Sequence, residues 1–504
     1  MGIKSIFLRS SFAKYGKSIK ETPRGVIANS TLLCSSLLYA LGGLPMTWEQ
    51  GASAVVPSLP GFQKQFGIKS GSKASEIQTY VSIIYIGYAI GAALSFLVND
   101  YIGRRWAYRL YSGVFIVGQV ASCLSPNMKG LLASRIISGM GIGSLSVVSP
   151  MALVEIAPKE IRGLLTSWYT VFMGVALTVA SFCVLGIYNN IPTSKLQYQI
   201  PPIAASIFVF ICILSSFFIS ESPRWLILVG RREDAIAALT KLRRLPANHP
   251  RIIGELNDIQ SSVIMAEGDV EGKPNFLSIV KETFTVASNL RRLQQVLVSY
   301  ALAQLSGANS VTSYFIPIMA LLGSSEDVAH DMFLSGMYGF SKLVFSILAS
   351  FFFIDVLGRR RSLFIGMTIQ MVSHIYIGVF IKSYQEGPVS TAASALAVAA
   401  IYIHALGYAI GLFILPYVFG GELWPNRIRS FGGAVGQTFH WLFIYAVKFS
   451  LSDLLEVTDN WGAFLFFAGW CFVGLIYVYL MVPEVAGLSV EDIDKIFKGP
   501  WFNA

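Results

Sequence analysis

The chain has 504 residues, of which 54% are hydrophobic and only 13% are charged, and its mean hydropathy is +0.60. A soluble domain usually carries about a quarter charged residues, so this composition excludes an ordinary soluble enzyme or binding protein. The formal net charge of +10 does not indicate a nucleic-acid partner, because the basic residues fall in short loops between apolar segments. We therefore expect an integral membrane protein that crosses the bilayer many times.

Twelve apolar segments are long enough to cross a membrane, since a spanning helix needs about 20 mostly apolar residues. In chain order we number them spans 1 to 12, at about residues 31–56, 80–99, 107–125, 130–153, 165–187, 200–220, 294–322, 331–354, 361–382, 393–420, 430–452 and 460–482. A polar segment separates spans 6 and 7, and its stretch "REDAIAALTKLRRL" has the apolar spacing of a short amphipathic helix.

Most of the 38 Lys and Arg residues lie on one side of the membrane if both chain ends are placed there. Positively charged loops stay on the cytosolic side, so this distribution predicts cytosolic termini. The expected domains are a basic cytosolic tail (1–30), an N-terminal six-helix half (31–220), a cytosolic linker with short helices (221–293), a C-terminal six-helix half (294–482) and a second cytosolic tail (483–504).

Short motifs occur twice, at matching positions in the two halves. "DYIGRR" (100–105) follows span 2 and "DVLGRR" (355–360) follows span 8, while "EIAPKEIR" (155–162) after span 4 matches "ELWPNRIR" (422–429) after span 10. A third pair, "ESPRW" and "PEVAG", follows spans 6 and 12. This duplication predicts an all-α membrane protein with twelve transmembrane helices in two six-helix halves, the architecture of a secondary transporter.

The repeated motifs place acids and arginines at the cytosolic ends of the spans, where Arg can form bidentate pairs with carboxylates. We expect these residues to hold the two halves together on the cytosolic side and to separate when that side opens. The alternative is that the GRR loops only fix the topology. The expected network consists of Asp100, Arg104, Arg105, Glu155, Arg162, Glu221, Arg224, Asp355, Arg359, Arg360, Glu422, Arg429 and Glu484.

Together with the GRR loops, "ESPRW", "AQLSGANSVTSYF" in span 7 and "PEVAGLSVEDID" after span 12 resemble the sugar porter branch of the major facilitator superfamily. The resemblance covers about residues 30–497, and "GMYGFSK" and "HWLF" are most similar to fungal members, which include sugar, polyol and quinate permeases. It implies the major facilitator fold and a monomeric plasma-membrane transporter, not an enzyme. The implied partners are a small-molecule substrate, protons and membrane lipid.

Nothing in the sequence indicates a cofactor. The five cysteines lie in apolar runs without the spacing of metal ligands, so they are expected to be small apolar residues rather than disulfides or a metal site. The complete phosphate-loop pattern GxxxxGK[S/T] is absent from the sequence, so ATP is not expected to drive transport.

Glu49 lies late in the apolar run of span 1, and Arg135 lies a few residues into span 4 from the outer side. An acid and a base at similar depth in the membrane are each costly alone and favourable as a pair. The resemblance implies the same residues, because proton-coupled sugar porters carry an acid in span 1 and an arginine in span 4. We expect ionised Glu49 to hold Arg135 and protonation from outside to release it. The alternative is that Glu49 lies without a function in the outer headgroup region.

The resemblance also implies where the substrate binds. The corresponding positions are Thr170 in span 5, Gln304, Asn309 and Tyr314 in span 7, Tyr417 in span 10, and His440 and Trp441 in span 11. Several amides of the family pattern are replaced, as at Thr170, Ala303, Leu343 and His440, and Ser313 replaces a tyrosine. This loss of amides weakens the case for a standard hexose.

Two lysines lie inside spans. Lys342 is roughly 20 Å along span 8 from the cytosolic end at the helical rise, too deep to reach that interface. We expect it to face the cavity, where it can bind a substrate carboxylate or pair with an acid, and a structural role is the alternative. Lys448 is nearer the outer end of span 11, and we expect its side chain to snorkel to the headgroups.

The function expected from these features is proton-coupled symport of a sugar or a sugar-like polyhydroxylated solute by alternating access. A facilitator or an exporter of another small organic solute, such as a quinate-like acid or a secondary metabolite, is the main alternative. A nutrient sensor that binds its ligand without transport is the other alternative, although the segment after span 12 is short for a signalling tail.

Overall fold

The computed structural model describes residues 11–68, 74–267, 276–323, 327–353, 357–413, 416, 419, 423–425, 428–484 and 495–499. The regular structure in these residues is helical, and no strand occurs among them. Nine helices within the described ranges are long and apolar enough to cross a membrane. The prediction of an all-α membrane protein is therefore confirmed.

The N-terminal half contains spans 1 to 6, preceded by the helices Ser11–Glu21 and Arg24–Ile27. Span 1 is divided into Ser30–Leu41 and Leu44–Val55, and the short helix Pro60–Phe66 follows it. The remaining helices of this half are Ala74–Ser82 and Ile84–Ile102 (span 2), Arg104–Leu124 (span 3), Met128–Ile156 (span 4), Arg162–Asn190 (span 5) and Leu196–Ser215 (span 6).

The C-terminal half repeats this arrangement from span 7 onward. Its helices are Ala287–Leu305, Ala308–Ser313 and Phe315–Leu321 (span 7), Val328–Leu348 (span 8), Arg359–Glu386 (span 9), Thr391–Ile410 (span 10), Arg429–Val457 (span 11) and Trp461–Met481 (span 12). Side-chain caps set the starts of some of these helices; Ser390, for example, accepts a hydrogen bond from the backbone N–H of Ala393 at the start of span 10.

The segment between the halves forms the helices Pro223–Leu228, Arg232–Arg243, Pro250–Glu267 and Phe276–Thr285. The first three pack around a small apolar core that includes Leu239. This unit is fastened to the N-terminal half, because Arg243 donates a hydrogen bond to the carbonyl of Ile156 (2.9 Å) and Asn29 donates one to the carbonyl of Leu242 (2.8 Å). We call the end of the bundle that carries these helices the linker face.

Span 7 is interrupted at Ser306 and Gly307, where Gly307 has a φ of +77°. A break inside a membrane helix frees backbone carbonyls that lipid cannot satisfy. Here the ring nitrogens of His374 in span 9 and His404 in span 10 both contact the carbonyl oxygen of Ser306, at 2.8 and 3.0 Å. The two histidines thus stabilise the break, and a Cβ on Gly307 would lie 3.0 Å from the His374 ring.

Spans 2 and 4 pack unusually closely because small residues face each other at their crossing. The position of Gly139 leaves no space for a side chain, since a Cβ there would lie 2.4 Å from the carbonyl oxygen of Ile84 and 3.0 Å from the Cα of Gly87. Close backbone approach at small residues is a main source of helix association in membranes, where the hydrophobic effect does not drive it.

We expect Gly139→Ala to lower the stability of the protein by about 1–3 kcal/mol, because the added methyl group forces spans 2 and 4 apart. The measurement is the midpoint of thermal unfolding of the purified protein in detergent. Gly186→Ala in span 5 is the matched control, since a Cβ there meets nothing within 4 Å. A Gly139→Ala protein that unfolds at the control's temperature would contradict this account of the packing.

Candidate functional site

A cavity lies between the two halves. The N-terminal half contributes residues of spans 1, 2 and 5 to its wall, and the C-terminal half contributes residues of spans 7, 8, 10 and 11. Because both halves line it, a movement of one half against the other changes its shape and its access. The lining residues are Met46, Thr47, Gln50, Tyr85, Thr170, Met173, Gly174, Leu177, Asn309, Lys342, Ser346, Tyr408, Phe413, His440, Trp441 and Ile444.

Five of the predicted substrate residues lie in this wall. They are Thr170, Asn309, Lys342, His440 and Trp441. They come from spans 5, 7, 8 and 11, so the two halves together bring them into one cavity.

Two predicted residues within the described chain, Gln304 and Tyr314, lie behind the wall rather than in it. The side-chain oxygen of Gln304 accepts a hydrogen bond from the amide of Asn309 (2.7 Å), and the hydroxyl of Tyr314 donates one to the backbone carbonyl of Lys448 (3.2 Å). The prediction that they bind substrate directly is therefore corrected: they support residues that line the cavity or join the halves. Tyr417, the eighth prediction, lies outside the described residues.

Several polar residues of the wall are not predicted by the sequence pattern, including Gln50, Tyr85 and Tyr408. Gln50 donates a hydrogen bond to the side-chain oxygen of Asn309 (3.2 Å), which links span 1 of one half to span 7 of the other. Its place next to Glu49 was the available signal, because consecutive residues of a helix point about 100° apart and can face two different neighbours.

Aromatic rings form one part of the wall. The ring of Trp441 in span 11 contacts Tyr88 edge-on, at 4.9 Å between centroids, and stacks on Tyr85 at 6.3 Å. The ring of His440 packs against Tyr300 at 4.3 Å. Pockets for small solutes are usually lined by such apolar faces with a few polar groups that fix orientation, and this cavity has both.

Lys342 lies in the wall near the break in span 7. Its ammonium donates a hydrogen bond to the hydroxyl of Thr312 (3.0 Å) and lies 5.8 and 5.5 Å from the ring centres of Tyr338 and Tyr408. Among the described residues, no Asp or Glu forms an ion pair with it. The expectation that Lys342 faces the cavity thus agrees with its position.

Lys448 does not snorkel, and that prediction is wrong. Its side chain is only 1% exposed, and its ammonium donates hydrogen bonds to the hydroxyls of Tyr85 (2.7 Å) and Ser313. The ring of Tyr85 also lies 4.3 Å from the ammonium. These hydroxyls and the ring replace water, and because Tyr85 belongs to the other half, Lys448 forms part of the contact between halves.

Glu49 and Arg135 form a buried ion pair inside the N-terminal half. Their side chains are 8% and 6% exposed, and the distance between Nη1 and Oε2 is 3.2 Å. The second oxygen of Glu49 accepts a hydrogen bond from Gln119 (2.6 Å), and Arg135 donates another to Ser53 (2.8 Å) and lies 4.0 Å from the ring centre of Tyr80. This enclosed position excludes the alternative of a free Glu49 in the headgroup region. Spans 1, 3 and 4 are thereby connected.

The repeated GRR motifs have the same local geometry in both halves. Gly103 and Gly358 adopt φ values of +84° and +87°, and a helix begins directly after each. Glu221 accepts hydrogen bonds from the backbone N–H groups of Arg104 and Arg105 (3.1 Å each). A carboxylate at a helix N-terminus satisfies its free N–H groups and its dipole.

Glu484 does the same in the C-terminal half, where it accepts from the backbone N–H groups of Arg359 and Arg360 (3.0 Å each). Each half thus fastens the end of its last span to the start of its third. We call these two arrangements the duplicated caps.

The side chain of Arg104 pairs with both oxygens of Glu155 (2.9 Å each) and with Asp100 (2.9 Å). All the described contacts of the expected network join helices of one half, so the prediction that these pairs hold the two halves together is corrected. The physical reason is that the carboxylates are occupied by helix N-termini and by Arg104 of their own half. Of the remaining network residues, Arg162 is exposed and Arg224 half-buried, Asp355 and Glu422 lie outside the described residues, and only the backbone of Arg429 is described.

Among the described residues, the halves are joined instead by neutral groups and by Lys448. At the linker face Phe96 packs edge-on against Phe431 at 5.7 Å, and Phe284 of the segment between the halves packs against the same ring at 6.3 Å. Near the cavity the joining contacts are those of Gln50 with Asn309 and of Trp441 with two tyrosines. Separation of these rings and amides leaves no charge unpaired.

Comparison with known proteins agrees with this architecture. A quinate permease of Neurospora africana is 26% identical, over 95% of this chain and 91% of the relative. A low-affinity glucose transporter of Saccharomyces cerevisiae, HXT1, is 28% identical, over 96% and 85%. The solved structure of the proton:xylose symporter XylE, a major facilitator superfamily protein bound to 6-bromo-6-deoxy-D-glucose, has a TM-score of 0.76 at 22% identity and covers 93% of this chain and 99% of that one.

These likenesses confirm the major facilitator fold with its two six-helix halves, and the relatives are transporters rather than enzymes. The family model "Sugar (and other) transporter" matches residues 35–497, which is most of the chain. The chain is therefore a multi-pass membrane protein that belongs to the sugar (and other) transporter family.

Proposed function

We propose that the protein is a proton-coupled secondary transporter that moves a sugar or a sugar-like polyhydroxylated solute by alternating access. The observation that carries the coupling is the buried pair of Glu49 and Arg135 beside a cavity that both halves line. We also propose that the linker face is cytosolic, that the membrane is the plasma membrane and that the protein acts as a monomer. The basic residues of the segments at that face support the orientation.

Protonation of Glu49 changes the forces on span 1. The ionised carboxylate attracts Arg135 and accepts a hydrogen bond from Gln119, so it ties span 1 to spans 3 and 4. A protonated carboxyl loses the charge attraction, while Arg135 keeps Ser53 and the ring of Tyr80 as partners. Span 1 is then less firmly held within its half, which lowers the cost of its movement.

The proton site and the substrate cavity are connected through span 1. Glu49 and Gln50 are consecutive, and Gln50 holds Asn309 of the opposite half while Glu49 holds Arg135 of its own. A solute that replaces the contact of Gln50 with Asn309 therefore acts on the helix that carries the proton-binding carboxylate. Two sites that bias one movable element are coupled, and the coupling is reciprocal.

The alternating movement follows from the distribution of strong and weak contacts. Ion pairs hold the N-terminal half together, and each half has its own member of the duplicated caps, whereas aromatic and neutral polar groups supply most of the described contacts between halves. The halves are therefore expected to rock as rigid units around the cavity, which opens it to one side of the membrane at a time.

We expect Glu49→Gln to abolish accumulation driven by an inward proton gradient and to retain exchange of solute without a gradient. Glutamine keeps the shape of the side chain and one acceptor oxygen but cannot take up and release a proton. The measurement is uptake of glucose, xylitol and quinate into vesicles reconstituted with the protein. Glu386→Gln, at an exposed glutamate, is the matched control.

Accumulation by Glu49→Gln equal to that of the unchanged protein would remove Glu49 from the coupling. If neither protein accumulates solute but both equilibrate it, the protein is a facilitator, and the proposal of proton coupling fails.

We expect Asn309→Ala to raise the KM for the transported solute by about three- to tenfold, because it removes a neutral hydrogen-bonding group from the cavity wall. It also leaves Gln50 and Gln304 without their shared partner. The measurement is the concentration dependence of the initial uptake rate. Asn257→Ala, at an exposed position of the linker, is the control, and an equal KM in both variants would place Asn309 outside the substrate site.

A further inference from the structure

Lys342 differs in kind from the other residues of the cavity wall. It carries the only charge among the described residues that line the cavity; the others are apolar, aromatic, amide, hydroxyl or imidazole side chains. A cation in this position gives a small cavity a positive potential that a neutral sugar does not need.

The neighbours of Lys342 satisfy it only in part. An ammonium has three N–H donors, and the contacts with described residues are one hydrogen bond to the hydroxyl of Thr312 and the rings of Tyr338 and Tyr408. Glu49, which directly precedes the lining residue Gln50 in the chain, is already paired with Arg135 and Gln119. A cation enclosed by protein is costly unless an anion and further hydrogen bonds compensate it.

The same short helix places an amide beside this cation. Asn309 and Thr312 lie three residues apart in Ala308–Ser313, so they share one face of that helix, and both Asn309 and Lys342 line the cavity. A solute that meets Lys342 therefore also meets the amides of Asn309 and Gln50. The positive group and the groups suited to hydroxyls are within reach of one small molecule.

A second lysine strengthens the positive potential. The ammonium of Lys448 is held by Tyr85, whose side chain also lines the cavity, and among the described residues it has no carboxylate partner. Its three N–H groups have two hydroxyl acceptors, so Lys448 is better satisfied than Lys342 and serves the contact between halves. The group left to bind an anion is Lys342.

We infer that the transported solute is a polyhydroxylated carboxylic acid in its ionised form, whose carboxylate binds the ammonium of Lys342 while its hydroxyls bind Gln50, Asn309 and Thr170. This inference rests on the proposed role of the cavity as the substrate site and names the class of solute that the cavity selects. Hydrogen bonds between two charged groups are roughly twice as strong as neutral ones, so the carboxylate supplies both affinity and selectivity.

The test compares matched ligands that differ only in charge. The probes are quinate and its amide, and glucuronate and glucose, all at neutral pH. Binding to the purified full-length protein is measured by equilibrium dialysis, with the shift in thermal unfolding as a second readout. We expect the unchanged protein to bind at least one acid about ten- to a hundredfold more tightly than its neutral partner.

Two substitutions test whether Lys342 carries this preference. Lys342→Met keeps the length of the side chain without its charge, and we expect it to bind the acid and its neutral partner equally. Lys342→Arg keeps the charge and should keep a preference for the acid. Without ligand, Lys342→Met should unfold at a temperature no lower than that of the unchanged protein, because an incompletely paired, half-buried cation is removed. Lys195→Met, at an exposed lysine, is the matched control.

An unchanged protein that binds the neutral partner as tightly as the acid, or binds none of the probes, overturns the inference. So does a Lys342→Met protein that keeps the preference for the acid. These binding measurements do not depend on a proton gradient. A failure of this inference can therefore be distinguished from a failure of the proposed proton coupling. Selective binding of the acid without gradient-driven accumulation leaves this inference standing and removes only the symport.

Discussion

Lipid offers no hydrogen bonds, so each polar group that this chain places in the membrane must find its partner inside the protein. The carboxylate of Glu49 pairs with Arg135 and accepts a hydrogen bond from Gln119, and two histidines contact the free carbonyl of Ser306. Buried Lys448 donates hydrogen bonds to the hydroxyls of Tyr85 and Ser313. The positions of the cavity, of the break in span 7 and of the proton-binding candidate all follow from how these requirements are met.

The polar groups within a half and those between the halves have different kinds of partner. Within the N-terminal half, charged groups make short and directional contacts, as Arg104 does with Glu155 and Asp100, and such contacts resist deformation. Between the halves, edge-on ring contacts such as that of Phe96 with Phe431 can slide without leaving a charge unpaired. A transporter needs both properties, because the cavity changes its access only if the halves stay intact while their contact is exchanged.

The sequence predicted the fold and the depth of the key residues better than it predicted their partners. Apolar length and the repeated motifs were enough for the spans, and depth alone brought Glu49 and Arg135 to one level. The network and Lys448 were placed wrongly because the partner of a charged group depends on helix rotation and packing. A repeated motif such as GRR indicates that the same contact occurs in both halves. It does not indicate whether that contact lies within one half or joins the two. Gln304 and Tyr314 show the same limit, since a family motif does not distinguish the residues that line a cavity from those that support them.

The duplicated caps have a consequence for how the protein is made. The N-terminus of span 3 is capped by Glu221, which the ribosome delivers only after span 6, and that of span 9 by Glu484, which follows span 12. The cap that fastens the last span of each half to its third span therefore cannot form until that last span has been synthesised. Until then, the N-terminus of span 3 beside Gly103, or that of span 9 beside Gly358, has no carboxylate cap.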